Sequence, residues 1–367
     1  MTKSSMTNGA PLVGVPSASE FLERLVQQAE HVNASDIHLQ MLGSAASVSL
    51  RMDGVMAPAT ELPAALADHV FGRIKFLARL KTYQESLPQD GRIDKAEVKA
   101  RSDIRVATYP TVSGEKIVLR LFNNSTIRTL AELDFPSTAV SELEHFLRQT
   151  FGLLLLTGPA GSGKTTTIYA CLHRLAESGG RHIITVEDPA EQIVPGIMQT
   201  EINEARGLDF AKAARHLLRQ DPQVLVIGEI RDEETANIAV RAALTGHLVI
   251  STLHAGSCKG VFERLLVLCR DHSAVAASVA LVINQRLLRR ICSECSGRGC
   301  AVCLSTGYRG RLPLVELLKV SEALRPRIIA KDFDGLGAQS SLANAATNLV
   351  KAGLTNQAEM ERILGAA

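Results

Sequence analysis

The sequence predicts an α/β fold, a largely parallel sheet wrapped by crossover helices, preceded by a small α+β domain. Three observations predict it. From about residue 127 short apolar runs alternate with helical stretches, as strands joined by crossover helices do. Between residues 104 and 122 the strand-like runs alternate apolar with polar residues instead, the pattern of half-exposed antiparallel strands. The apolar run Gly152–Thr157 leads directly into Gly158-Pro-Ala-Gly161-Ser-Gly163-Lys164-Thr165-Thr166-Thr167 and then into a helical stretch, Ile168–Leu175. Strand, glycine loop, helix is the context that G-x-x-x-x-G-K-[ST] requires.

Length sets the domain count. A chain of 367 residues suggests two domains, each large enough for its own core. Hydrophobic residues at 46% and charged residues at 21% are ordinary for a globular protein. A net charge of +2 without a basic stripe, and aromatics at 4%, argue against a nucleic-acid partner. The longest apolar run, Ala274–Ile283, is too short to span a bilayer. The N-terminus carries no signal-peptide pattern, so a cytoplasmic protein is expected.

In chain order, residues 1–17 are polar and read as a disordered lead-in. Ser19 to His31 has the apolar spacing of an amphipathic helix, with Ser19 as its N-cap. Two strand-like runs follow, 36–41 and 48–52, and Asp53-Gly54 makes a turn. A helix is expected from Leu62 to about Tyr83, and Gln89-Asp-Gly-Arg92 reads as another turn. Strands at 104–109 and 115–122 complete a domain over 18–122. The polar stretch 123–126 is the expected linker, and 127–367 the second domain. Its strands are expected at 153–156, 182–186, 223–227 and 247–251.

The glycine loop is a phosphate site by its chemistry. Gly158, Pro159, Gly161, Ser162 and Gly163 let backbone N–H groups turn inward around phosphates, at the positive end of a helix. Lys164 reaches the β- and γ-phosphates, Thr165 offers a hydroxyl to Mg²⁺, and Thr166 extends the loop. In parallel sheets ligands bind beyond the carboxyl ends of strands. Glu187-Asp188-Pro189-Ala190-Glu191 follows one strand there, Gly228-Glu229-Ile230-Arg231-Asp232 another, and Thr252-Leu253-His254 a third. Glu229 is the natural carboxylate on the Mg²⁺ side, which leaves Glu187 or Glu191 for the attacking water or the ribose. His247 and His254 flank the last strand and point to a γ-phosphate sensor. Asp232 reads as the N-cap of the next helix, with Glu233 and Glu234 as dipole partners.

Several stretches together resemble the type II secretion and type IV pilus ATPases, the GspE/PilB/PilT family. They are the loop Gly158–Thr167, the acidic box Ile184–Glu191, the run Leu217–Asp232 and the histidine box Thr245–Ala255. In the first domain, Ala34-Ser-Asp-Ile-His38, Leu87–Ile93 and Arg105–Arg120 also match. The resemblance implies a homo-hexameric ring of RecA-like P-loop NTPase motor domains, each joined to a PAS-like N-terminal domain. It implies ATP and Mg²⁺ as cofactors, with Glu191 as catalytic base, Glu229 as Mg²⁺ ligand and His254 as γ-phosphate sensor. Arg105 and Arg120 match arginines that the N-terminal domain brings to bound nucleotide. Strand alternation alone reads both as solvent-facing. It further implies a compact form without the extra N-terminal docking domain, acting on an inner-membrane platform protein. A pilus-retraction or conjugative-type motor of the same fold, or a nucleic-acid translocase, is the alternative.

Seven cysteines include Cys292-Ser-Glu-Cys295-Ser-Gly-Arg-Gly-Cys300-Ala-Val-Cys303, two C-x-x-C pairs able to offer four thiolates to Zn²⁺. Such a motif is typical of the family's secretion and pilus-extension branch, although only four residues separate these pairs. Cys171, Cys258 and Cys269 read as small buried hydrophobes.

Overall fold

A computed structural model describes residues 17–43, 45–121, 127–338 and 340–365. The expected linker at 123–126 and residues 1–16 of the lead-in lie outside these. The chain divides into two compact units. One comprises Met1–Ser125 together with Arg289–Gly310, the other Thr126–Leu288 together with Arg311–Ala367. The first division falls between Ser125 and Thr126. The cysteine segment, expected within the second domain, groups with the first unit instead.

In the first unit, α1 (Ala18–His31) buries Phe21, Leu22, Leu25, Val26 and Ala29, the stripe that the spacing predicts. Its N-cap is Ser17, whose Oγ accepts from the Glu20 N–H at 3.2 Å; the expected cap, Ser19, is the second residue of the helix. Six strands form an antiparallel sheet: β1 (Asp36–Leu42), β2 (Ala45–Met52), β3 (Val55–Leu62), β4 (Gln89–Ile93), β5 (Ile104–Thr111) and β6 (Gly114–Leu121). Their order is β3-β2-β1-β6-β5-β4. Helix α2 (Ala64–Leu77) is shorter than the expected 62–83, because Leu62 closes β3 and Pro63 starts the helix. Pro58 obscures the β3 pattern and is tolerated because β3 is an edge strand. Gln89–Arg92 is also a strand and not a turn. A Cβ on Gly91 would stand 2.5 Å from the Ala78 carbonyl oxygen, so glycine is what lets this edge strand lie against the end of α2.

The second unit begins with α3 (Ser137–Leu147) and β7 (Gly152–Thr157), followed by α4 (Lys164–Ser178), β8 (Ile183–Glu187) and β9 (Met198–Glu201). Then come α5 (Phe210–Leu217), β10 (Val224–Ile227), α6 (Glu233–Leu244) and β11 (Leu248–Leu253). Helices α7 (Cys258–Leu268) and α8 (His272–Ser278) lead to β12 (Val279–Ile291) and β13 (Tyr308–Lys319), and α9 (Arg325–Ile329), α10 (Leu342–Lys351) and α11 (Gln357–Leu364) close the chain. The seven strands lie in the order β13-β12-β7-β11-β10-β8-β9. Pairs from β12 through β9 are parallel.

Both faces of this sheet are covered, as a parallel sheet requires. Leu153, Leu155, Ile184, Val186, Leu225, Ile227 and Val249 pack with α5, α6 and α7 on one side. Leu154, Leu156, Ile183, Val224, Val226, Leu248 and Ile250 pack with α3 and α4 on the other. The apolar run 274–283 is divided between α8 and β12. No helix among the described residues is long and apolar enough to cross a membrane.

In the first unit Lys75 on α2 and Glu115 on β6 form a buried ion pair. Lys75 Nζ donates to the two Glu115 oxygens at 3.1 and 3.2 Å and to the Gln84 carbonyl at 3.0 Å. Burial holds the Glu115 carboxyl above the usual carboxylate range even so. Lys75→Ala is expected to cost about 3–5 kcal/mol, since a buried carboxylate is left unpaired. The double change Lys75→Met/Glu115→Leu should recover most of that loss. Urea unfolding of the full chain checks both.

Candidate active site

The phosphate loop joins β7 to α4, and three of its glycines have left-handed φ, +136° at Gly158, +74° at Gly161 and +92° at Gly163. Gly158 has a second reason to be glycine. A Cβ there would stand 2.4 Å from the Gln285 carbonyl oxygen on β12 and 2.7 Å from Ser162 Oγ. Lys164 Nζ donates to the carbonyls of Gly158 and Pro159, each at 2.9 Å, and burial lowers its pKa. Thr165 and Thr166 stand exposed on the first turn of α4. Thr167 is turned inward, accepting from Gln285 Nε2 at 3.0 Å. Ser162 Oγ is buried with no hydrogen-bond partner. It is an orphaned polar atom in a loop built to hold polar oxygens.

Beside the loop lies a cleft of about 190 Å³. Lys164, Thr165 and Tyr169 line it from α4, Glu187 from the last position of β8, Asp188 and Glu191 from the segment after it, Glu229 from just past β10, and His254 from just past β11. These strands are parallel, so their carboxyl ends share one edge, and the charged residues placed just past them meet there. Glu229 forms an ion pair with Arg231, which lies 3.7 Å from Asp188. His254 Nε2 is 3.6 Å from Glu229 Oε2. The hydroxyl of Thr165 and the carboxylate of Glu229 are hard oxygen donors facing one space, a set that fits Mg²⁺.

Glu187 lines the cleft, but its oxygens are already engaged. It accepts from Tyr169 Oη at 2.5 Å, Thr185 Oγ1 at 2.5 Å and Gln199 Nε2 at 3.1 Å. Those three donors hold the Glu187 carboxylate in place; Glu191 lines the same cleft as an exposed residue. His247 is a correction. It precedes β11, and Leu248 pairs with Gly152 while Leu253 pairs with Thr157. The residue before a parallel strand lies at the edge opposite the phosphate loop, about 20 Å away for a six-residue strand. There His247 Nδ1 lies 3.0 Å from the Ala242 carbonyl at the end of α6.

Arg105 and Arg120 pair directly across β5 and β6 on the exposed face of the first unit, and Arg120 Nε donates to Asp36 Oδ1 at 3.0 Å. The structure adds residues that the sequence reading missed. Tyr169 reaches the cleft from α4. Arg286 on β12 donates to the carbonyls of Gln285 and Gly256 at 2.8 and 2.9 Å, within reach of the loop at Gly158. A period-3.6 count on α4 would have placed Tyr169 on the face of Thr165.

The four cysteines converge. The sulfurs of Cys292, Cys295, Cys300 and Cys303 lie within 4.8 Å of one another. Cys292–Cys300, Cys295–Cys303 and Cys300–Cys303 are 4.0, 3.8 and 3.7 Å apart. A tetrahedron with Zn–S bonds of about 2.3 Å has edges of about 3.8 Å, so the set fits zinc. Gly299 N–H donates to Cys295 Sγ at 3.2 Å, and the N–H groups of Cys300 and Gly307 to Cys303 Sγ at 3.2 and 3.3 Å, contacts that favour thiolates. The four-residue spacer closes as a tight knuckle, with Gly297 and Gly299 at φ +83° and +90°. Cys171, Cys258 and Cys269 are buried, as expected.

Residues 14–363 match the family model of the type II/IV secretion system proteins. The type II secretion system protein HxcR of Pseudomonas aeruginosa is 41% identical over 331 residues, covering 87% of this chain and 68% of that protein. The protein transport protein HofB homolog of Haemophilus influenzae is 40% identical over 347 residues, covering 94% and 72%. The type IV pilus assembly ATPase PilB of Thermus thermophilus is 37% identical over 342 residues, and the chain spans 38% of that protein's length. Among solved structures, the pilus retraction motor PilT with bound ADP superposes with a TM-score of 0.68 at 26% identity, over 93% of this chain and 96% of that one. The ATPase DotB of Legionella pneumophila, at 20% identity, shares the fold with a TM-score of 0.75 over 99% of both chains. A family match over nearly the whole sequence, on a RecA-like fold that carries a phosphate loop, makes this chain a member of the type II/IV secretion system ATPases.

Proposed function

We propose that the chain hydrolyses ATP with Mg²⁺ to drive assembly of pseudopili or type IV pili from the cytoplasmic face of the membrane. It works as a homo-hexamer against an inner-membrane platform protein. One observation carries the chemistry: Lys164, Thr165, Glu191, Glu229 and His254 line a single cleft at the carboxyl edge of the parallel sheet.

The backbone of Gly158–Gly163 and the start of α4 cradle the phosphates, and Lys164 moves from the loop carbonyls to the β- and γ-oxygens. Thr165 and Glu229 would hold Mg²⁺, which neutralises charge on those oxygens when bound. Glu191 takes the proton of the attacking water, and His254, beside Glu229, reports the γ-phosphate. Arg105 and Arg120 bring guanidinium charge from the first unit to the nucleotide, Arg120 held in place by Asp36.

The cysteine cluster would hold a structural zinc ion and favours the secretion or pilus-extension branch of the family. The likeness to PilT favours retraction as the second reading. Metal content separates them. The purified chain is expected to carry one equivalent of zinc by elemental analysis and to lose it on Cys295→Ser or Cys303→Ser; a metal-free preparation would turn the assignment toward retraction.

Two substitutions test the cleft. Lys164→Ala should abolish phosphate release, and undiminished turnover would sink the scheme. Glu191→Gln should leave ATP affinity within about three-fold while lowering kcat by about 10²–10⁴. Equal loss of binding and turnover would remove its role as base.

A further inference from the structure

We infer that Tyr169 is a positioning residue for hydrolysis. Its hydroxyl, carried on the helix that opens from the phosphate loop, holds the backbone of the Glu191 segment and so sets where the carboxylate of Glu191 stands. The inference rests on the proposed role of Glu191 as base.

Tyr169 lies four residues after Thr165, one turn further along the same face of α4. Its ring is buried at 5% exposure and its oxygen meets the loop after β8. A phenol has one proton to give. The Tyr169 hydroxyl gives it to Glu187 Oε2 at 2.5 Å. Its lone pairs then accept the N–H groups of Glu191 at 2.9 Å and Gln192 at 3.2 Å. Glu187 is a fixed acceptor, because Thr185 Oγ1 and Gln199 Nε2 hold it from the other side. The Gln192 carbonyl also lies 3.3 Å from the hydroxyl, and the much shorter bond to the Glu187 carboxylate takes the proton. Burial and the bond to Glu187 push the Tyr169 pKa far above the ordinary tyrosine range, so the proton stays on the hydroxyl.

The segment has a second tether on β9. Gln199 Nε2 donates to the Gln192 carbonyl at 2.9 Å, and its Oε1 accepts the Val194 N–H at 2.6 Å. Ile193 is 89% exposed, so the apolar anchoring of the segment falls on Val194, at 3%. Nearest Glu191 itself the segment is held by polar bonds, two of which end on one atom of the phosphate-loop helix. Nucleotide and base are referred to the same rigid element, which is what a preorganised site needs.

Tyr169→Phe keeps the ring and removes the oxygen. In the full chain it is expected to lower kcat by about ten-fold or more while the KM for ATP stays within about three-fold, because it displaces the base and leaves the phosphate contacts in place. Gln199→Leu, which removes the tether on β9, should lower kcat in the same way. Combined with Glu191→Gln, Tyr169→Phe should remove less than about a further two-fold from the residual single-turnover rate. Unchanged kcat in Tyr169→Phe overturns the inference, as does a KM that rises in step with the fall in kcat. So does a full ten-fold loss in the Glu191→Gln background. Wild-type turnover in Glu191→Gln alone removes the base assignment and the inference with it, and is read without reference to Tyr169. Circular dichroism and the affinity for a fluorescent ADP analogue verify folding. If Tyr169→Phe does not fold, Gln199→Leu carries the same comparison.

Discussion

A parallel sheet buried on both faces tolerates almost no charge within its strands, and right-handed crossovers oblige consecutive strands to run the same way. Both constraints act on β7, β8, β10 and β11, whose interiors are apolar apart from hydrogen-bonded hydroxyls such as Thr185 and Ser251. Charge is displaced to the residues just beyond the strands, and common direction gathers those residues on one edge. The cleft is a product of that packing rule. Lys164, Glu229 and His254 meet because each follows a strand that could not have contained them.

Within the cleft, opposite charges are kept close. Lys164 is depressed in pKa by burial, with Glu229 opposing the shift, and Arg231 sits between Glu229 and Asp188. A site already balanced in this way can accept several phosphate charges when its cations exchange partners, with little rearrangement of the backbone. The close approach of Gly158 to the Gln285 carbonyl serves the same end. It locks the loop against β12, so the N–H groups are aimed before a nucleotide arrives.

Much of this was legible in the residues. The order strand, loop, helix at 152–175 is local, and four of the sheet strands lie within a residue or two of the apolar runs that predict them. Legibility failed where the cause was non-local. Gln89–Arg92 looks like a turn until Ala78 is seen against Gly91, and Pro58 hides an edge strand. His247 could have been placed by direction alone, since it precedes its strand while His254 ends the equivalent run. Tyr169 resembles any helix-core aromatic, because its hydroxyl partners lie 18 to 23 residues away on another element. The four thiols converge through left-handed turns that spacing does not reveal.

The first unit is not one stretch of chain. Residues 289–310 belong to it, with Gly310 N–H bonded to Asp53 Oδ2 at 2.8 Å and Leu304 packed against its core. The backbone therefore passes from one unit to the other three times. A protease that cuts once between 122 and 126 yields two fragments, and the larger one still owns a piece of the smaller one's fold. Such a nick would show on a denaturing gel and not by gel filtration. A gene truncated after residue 122 encodes a unit with part of its own surface missing.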